Sequence, residues 1–183
     1  EFINANNSQA VWSETYEDDI ESIFNIKSHI TTKIAEAVGI KVEAKTAKAI
    51  SQKSTQNAEA FKLYTQGRNL WYTRTEADMR QSLKLYEQAI KLDPDYAEPF
   101  TGIADSNSML VQYSFSELKE GYGRAREAAI EAIIRNPNLP QAYVSLAWVQ
   151  FANDWKLKAS EKNSHKAIGL DPKFAQAYHW LGI

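Results

Sequence analysis

The 183 residues can fill one sizeable core or two small ones, since 44% of them are hydrophobic. Twenty-one basic against 23 acidic side chains leave a net charge of −2 with no block of like charge, which argues against the basic face of a nucleic-acid binder. The lack of cysteine excludes disulfides, thiolate nucleophiles and cysteine metal sites, and no apolar run approaches the roughly 18 residues needed to span a bilayer.

No signal-peptide pattern opens the chain. It begins at Glu1 and ends at Ile183 inside a helical pattern, so it reads as a fragment of something longer. Residues 1–45 form a first region. Phe2 to Ala5 and Ala10 to Trp12 are short β-like runs around Asn6, Asn7 and Ser8, which predicts a hairpin. Asp18, with Glu21 three residues on, has the spacing of a helix cap. Ile20, Ile23, Phe24, Ile30, Ile34 and Val38 then recur at near-helical spacing up to Gly39, a natural stop. A lone hairpin is marginal, so this region needs a partner. Residues 46–57 read as a linker ending at Asn57, a candidate cap.

From residue 58 onward the chain repeats itself. KLDPDYAEPF, IRNPNLPQAY and GLDPKFAQAY place Pro94, Pro137 and Pro172 ahead of new apolar helical starts, at steps of 43 and 35 residues. Self-similarity in that range marks stacked helical hairpins. The first unit, 60–96, carries Leu63, Gly67 and Leu70 on its helix A and Ser82, Tyr86 and Ala89 on its helix B. The second, 97–139, has Phe100, Ile103 and Ala104, then Ala125, Ala129 and Ala132. The third, 140–174, has Tyr143, Leu146 and Ala147, then Ser160, Ser164 and Ala167, and a fourth starts over 175–183 with Tyr178, Leu181 and Gly182. Small residues at Gly67, Ala104 and Ala147 let helix B approach helix A closely. Thr75 with Asp78, and Ser114 with Glu117, have capping-box spacing and predict the starts of helices B in units one and two; Asp154 is another candidate cap. Unit two exceeds 34 residues by about nine, the surplus lying near Met109 to Glu120. Gly121 and Gly123 weaken the start of its helix B unless a close contact needs them.

This succession of large, small, aromatic, small and proline positions resembles the tetratricopeptide repeat, which implies an all-α solenoid. Gln66, in a leucine position, and Asn107 and Gln150, in tyrosine positions, depart from the pattern. The stretch FINANNSQAVWSETYEDDIESIFNIKSHITTKIAEAV is similar to the last strands and helix of the TolB-like domain that precedes such repeats in many bacterial signalling proteins, and the following NAEAFKLYTQGRNLWYTRTEADMRQSLKLYEQAIKLDPDYAEPFTGIAD is similar to the start of their arrays. Residues 1–45 would then be the end of an α/β domain. The resemblance implies a signalling context, in which the upstream module can be a nucleotide cyclase, a winged-helix regulator or a protein kinase. It is compatible with a cytoplasmic or a periplasmic location in a bacterium.

Catalysis has little to stand on. His29, His165 and His179 lack a ligand partner at i+3 or i+4. The run Glu17, Asp18, Asp19 and Glu21 lacks the glycine and alternation of a calcium loop and suits a helix start. There is no glycine-rich phosphate loop and no nucleophile elbow. No cofactor or metal is therefore expected, and the chain reads as non-catalytic.

Recognition remains. Tyr64, Arg68 and Trp71 recur at i, i+4 and i+7 on the first helix A. The matching positions are Thr101, Asp105 and Ser108 in unit two, and Val144, Trp148 and Phe151 in unit three. The tetratricopeptide resemblance implies that these faces line a concave groove, so they are the expected contacts for a peptide or neighbouring domain, set against the plainer reading that the aromatics are core. The family's carboxylate clamp needs lysine and asparagine, which these positions do not supply, and that argues against a chaperone-tail receptor. Two other expectations compete: an oligomerisation module pairing chains through the open hairpin edge and the cut fourth repeat, or the accessory part of a nucleotide cyclase.

Overall fold

The structure is a computed structural model that describes residues 2–3, 10–12, 23–37 and 54–182. The chain divides into two compact units, Glu1–Ala58 and Glu59–Ile183. In the first, strand β1 (Phe2–Ile3) pairs antiparallel with β2 (Ala10–Trp12), Phe2 opposite Trp12 and Ile3 opposite Ala10, with an irregularity between them. Helix α1 (Ile23–Ala37) packs on β2. The expected turn at Asn6, Asn7 and Ser8, the Asp18 cap with Glu21, the Glu17–Asp19 acidic run, the Gly39 stop and most of the 46–57 linker lie outside the described residues. Strands of two and three residues do not make a domain by themselves.

The second unit is helical. Its helices are α2 (Ala58–Thr73), α3 (Glu76–Leu92), α4 (Glu98–Gln112), α5 (Leu118–Arg135), α6 (Pro140–Ala152), α7 (Leu157–Leu170) and α8 (Ala175–Leu181). From α3 onward each helix packs on the next, and in addition α4 packs on α6 and α6 on α8. Contacts between successive first helices as well as between sequence neighbours are those of a stacked array of hairpins, not of a closed bundle.

One turn recurs between units. Asp93, Asn136 and Asp171 end α3, α5 and α7, their amides donating to the carbonyls of Ala89, Ala132 and Ala167. Each then accepts, on its side-chain Oδ1, the amide two residues on, from Asp95, Asn138 and Lys173. Its carbonyl takes the amide of Tyr96, Leu139 or Phe174. The prolines occupy the second turn position, where a fixed φ is preset and no donor is lost. The helix has thus already stopped at the Asp or Asn before the proline. The aromatic or leucine that follows is carried into the core: Tyr96 packs with Ala60 and Ala89, Leu139 with Ala97, Ala132 and Ala142, and Phe174 with Val144, Ala167 and Ala177.

Small residues set the helix spacing. A Cβ at Gly67 would lie 2.5 Å from Tyr86 Cε1, and one at Gly102 would lie 2.6 Å from Tyr86 Cζ, so the fully buried Tyr86 ring is held between two glycine-bearing helices, α2 and α4. Ser82 of α3 and Ser106 of α4, both fully buried, share a hydrogen bond of 3.0 Å.

The expected departures have local causes. Gln66 is exposed. Asn107 is buried but donates to the Ile103 carbonyl at 2.9 Å, and Gln150 accepts from Asn163 Nδ2 at 2.8 Å. Of the expected caps, Thr75 forms, its hydroxyl accepting the Asp78 amide at 3.2 Å. The Ser114–Glu117 box does not. Ser114 takes a left-handed φ of 62°, its amide donating to the Val111 carbonyl, and α5 begins at Leu118 behind Glu117 with no side-chain cap. The surplus of unit two is spent on this turn. Asp154 is not a cap either, because its carboxylate pairs with Arg126 and α7 starts three residues later.

The two glycines of α5 separate cleanly. A Cβ at Gly121 would fall 2.2 Å from Val111 Cγ2, on a β-branched side chain with little freedom to yield, whereas none meets anything within 4 Å at Gly123. Gly123→Ala is expected to raise stability by about 0.5–1 kcal/mol. Gly121→Ala should lower it, and urea unfolding of the two variants checks the opposite signs.

Candidate binding groove

The first helices of successive units, α2, α4, α6 and α8, supply the walls of an open cavity of about 380 Å³. Trp71 comes from the end of α2, Asp105, Ser108 and Met109 from α4, Val144, Ser145 and Trp148 from α6, and Gln176 and His179 from α8. The helical period puts them there: 105 and 108 share a face of α4, as 144, 145 and 148 do on α6.

Of the nine expected contact residues, five line this cavity: Trp71, Asp105, Ser108, Val144 and Trp148. Four do not. Tyr64 is inserted between aromatic rings, 5.9 Å from that of Tyr86 and 5.5 Å from that of Tyr96. Burial, only partly offset by the nearby Arg68 cation, pushes its hydroxyl up to about 12. Thr101 is 2% exposed and its hydroxyl donates to the Glu98 carbonyl. Phe151 packs beside Trp148, ring centroids 6.0 Å apart, one turn beyond the cavity. Arg68 is not part of the lining.

Arg68 is instead one arm of a polar tie between three units, centred on Asp105. Its Nη1 donates to Asp105 Oδ2 at 2.9 Å, and Asp105 Oδ1 accepts from Ser145 Oγ at 2.7 Å. Arg68 joins α2 to α4, and Ser145 joins α4 to α6. Both charged side chains are about four-fifths removed from solvent. Burial works against the Arg68 cation, but the Asp105 carboxylate holds its pKa above the ordinary value. The guanidinium also lies 4.4 Å from the Trp71 ring centroid.

Arg74, Met109, Gln112, Ser145, Ala175, Gln176 and His179 line the cavity too and were not expected. A signal for two of them was present. The 35-residue step from Pro137 to Pro172 maps Gln141 onto Gln176 and Val144 onto His179, which extends the stripe into the fourth unit. Arg74 follows Trp71 by three residues but sits past the helix end, in a left-handed turn that helical spacing does not reach. Among the described residues no group of three or more histidine, aspartate or glutamate side chains is placed to hold a metal ion, and no helix is long and apolar enough to cross a membrane.

No protein-family model matches the sequence, and no curated protein resembles it significantly. Among solved structures, the first TPR of Spaghetti (RPAP3), bound to the HSP90 peptide SRMEEVD, is similar over 68% of this chain and 88% of that one, with 18% identity and a TM-score of 0.53. At that identity the likeness concerns the fold alone. The helical unit therefore has the fold of a tetratricopeptide array.

Proposed function

We propose that the array is a protein-interaction module that receives a peptide, or an extended segment of a neighbouring domain, in the groove lined by its first helices. The observation that carries this reading is the cavity itself, walled by Trp71, Met109, Val144 and Trp148 with a few polar groups between them, which is the composition of a recognition site. The similar solved structure holds a peptide, which supports the reading. A chaperone tail is not the proposed occupant: Arg68, at one of the positions where a clamp would need a free donor, is already engaged by Asp105. A regulatory place in a bacterial signalling protein, downstream of a TolB-like domain, is the wider setting we propose on the sequence resemblance. The chain is proposed to contribute no catalytic group of its own.

The test is selection of peptides on the full chain, followed by competition and substitution. Met109→Lys, which puts a charge on a half-buried cavity wall, should weaken a selected peptide by at least about tenfold while unfolding stays cooperative. Unchanged affinity would place the binding elsewhere. Light scattering at several concentrations addresses the oligomerisation alternative, which a concentration-independent monomer would end.

A further inference from the structure

We infer that the helical unit also docks on an anionic lipid surface, through the turns that join the two helices of its second and third repeats. These turns follow α4 and α6, and each carries exposed apolar side chains. Trp155 is 82% exposed and Leu157 57%, while in the other turn Leu118 is 61% exposed. Beside Leu118, Tyr113 and Phe115 stack with ring centroids 6.2 Å apart and are also open to solvent. The two turns are neighbours: Val111 and Tyr122, on either side of the first, pack with Val149 and Ala152 at the end of α6, and Arg126 of α5 pairs with Asp154 beside Trp155. Stacked repeats bring equivalent turns to one edge of an array, so these side chains project along a common rim. None of them lines the groove.

Trp155 has no structural reason to be where it is. Its φ of 54° lies in the left-handed region, where glycine or asparagine is the ordinary occupant and a bulky side chain is strained. Packing of the indole could offset that strain, yet the ring stands in water. Both turns are fixed by their backbones. The Lys156 amide donates to the Gln150 carbonyl at 2.9 Å, the Phe115 amide to the Leu110 carbonyl at 2.8 Å, and Arg80 Nη2 to the Phe115 carbonyl at 2.7 Å. The apolar tips are therefore held out rather than left loose. Tryptophan and tyrosine, with an apolar body and one polar atom, favour the boundary between water and hydrocarbon. Separate protrusions suit a fluid surface that closes around each of them, whereas a protein would need a matched pocket for every tip.

The charge selects the lipid. Residues 155–166 hold four lysines against one glutamate, in a chain whose net charge is −2. Lys156, Lys158 and Lys162 are exposed and have no ion pair among the described residues, and the last two share the outward face of α7. Of the acids at the two turns, Asp154 is taken by Arg126 and Glu120 by Arg124, which leaves Glu117 to oppose them. Lysine stems can lie along the apolar boundary beside Leu157 while their ammonium groups reach headgroup phosphates. No helix of the described residues is long and apolar enough to cross a membrane, so the contact is a peripheral one.

The experiment sediments the full chain with vesicles of phosphatidylglycerol and, separately, of phosphatidylcholine. Binding should be at least about tenfold stronger to the anionic vesicles and should weaken as salt is raised. Tryptophan emission should shift to the blue on binding, and Trp155→Phe should remove the shift. Trp155→Ala should weaken binding about tenfold, and Lys156→Glu with Lys158→Glu should abolish the preference for phosphatidylglycerol. Trp155→Gly relieves the left-handed residue, so it should be at least as stable as the parent to urea while losing the vesicles. Met109→Lys, in the groove, should bind vesicles like the parent, which keeps this result separate from peptide binding. Failure to bind either vesicle overturns the inference, as does phosphatidylglycerol binding that Trp155→Ala leaves unchanged. Self-association that Trp155→Ala removes, with no vesicle binding, overturns it too and assigns the rim to a second copy of the chain.

Discussion

Gly67→Ala should destabilise the array by about 2 kcal/mol, against the usual direction for a helical glycine. Helix propensity alone would favour alanine by about 1 kcal/mol. The new Cβ would however stand 2.5 Å from Cε1 of Tyr86, a ring that has no room to retreat because Gly102 closes its other side at 2.6 Å. Overpacking of a filled core costs about 1–3 kcal/mol, and here the upper end applies because the obstacle is a rigid ring rather than the end of a flexible chain. Gly102→Ala should behave alike, and the pair should be non-additive because both press on one side chain. Urea unfolding measures it; a variant as stable as the parent would show that the helices are not held at the distance set by Tyr86.

Asp105→Ala should cost a similar amount for a different reason. It leaves the Arg68 guanidinium, already largely withdrawn from water, without its carboxylate, and it turns the Ser145 hydroxyl back to the Gln141 carbonyl of its own helix, 3.1 Å away. Breaking a buried pair by removing one partner costs about 3–5 kcal/mol when burial is complete, so about 2–3 kcal/mol is expected for side chains that keep some solvent contact. Removing both charges with Arg68→Leu and Asp105→Leu should recover much of the loss, since the penalty lies in the orphaned charge. If Asp105→Ala alone proved neutral, the tie between α2, α4 and α6 would be ornamental.

The array was legible in the sequence because its determinants are local and repeated. The Asp-Pro, Asn-Pro and Asp-Pro turns, the small residues at Gly67, Ala104 and Ala147, and the Thr75 cap each depend on a few neighbouring residues. What escaped depended on partners far along the chain. Asp154 has a side chain suited to capping, but Arg126, 28 residues earlier, claims it. Ser114 with Glu117 has the spacing of a box, yet the amide of Phe115 is drawn back to the Leu110 carbonyl and the helix starts late. The glycine at 102 passed unremarked, because its reason is Tyr86, sixteen residues earlier on the neighbouring helix.

The groove was legible by half for the same reason. Helical spacing finds a face but not the extent of the cavity on it, so it named Thr101, which lies outside the lining, alongside Ser108, which belongs to it. It could not know that Arg68 is engaged by Asp105, nor that Arg74, outside any helix, lines the cavity. Gln176 and His179 followed from the repeat step, and were missed only because the fourth unit was treated as an end rather than as a wall.

The measurement that tests the account most directly is the indole N–H resonance of Trp71, assigned by Trp71→Phe, during titration of the full chain with a selected peptide. The groove predicts that this signal moves with the peptide and saturates at the same concentration as binding, and that Met109→Lys abolishes the movement. A peptide that binds while the Trp71 signal stays still, with changes confined to outward residues such as Ile130 and Ile134 on α5, would contradict it.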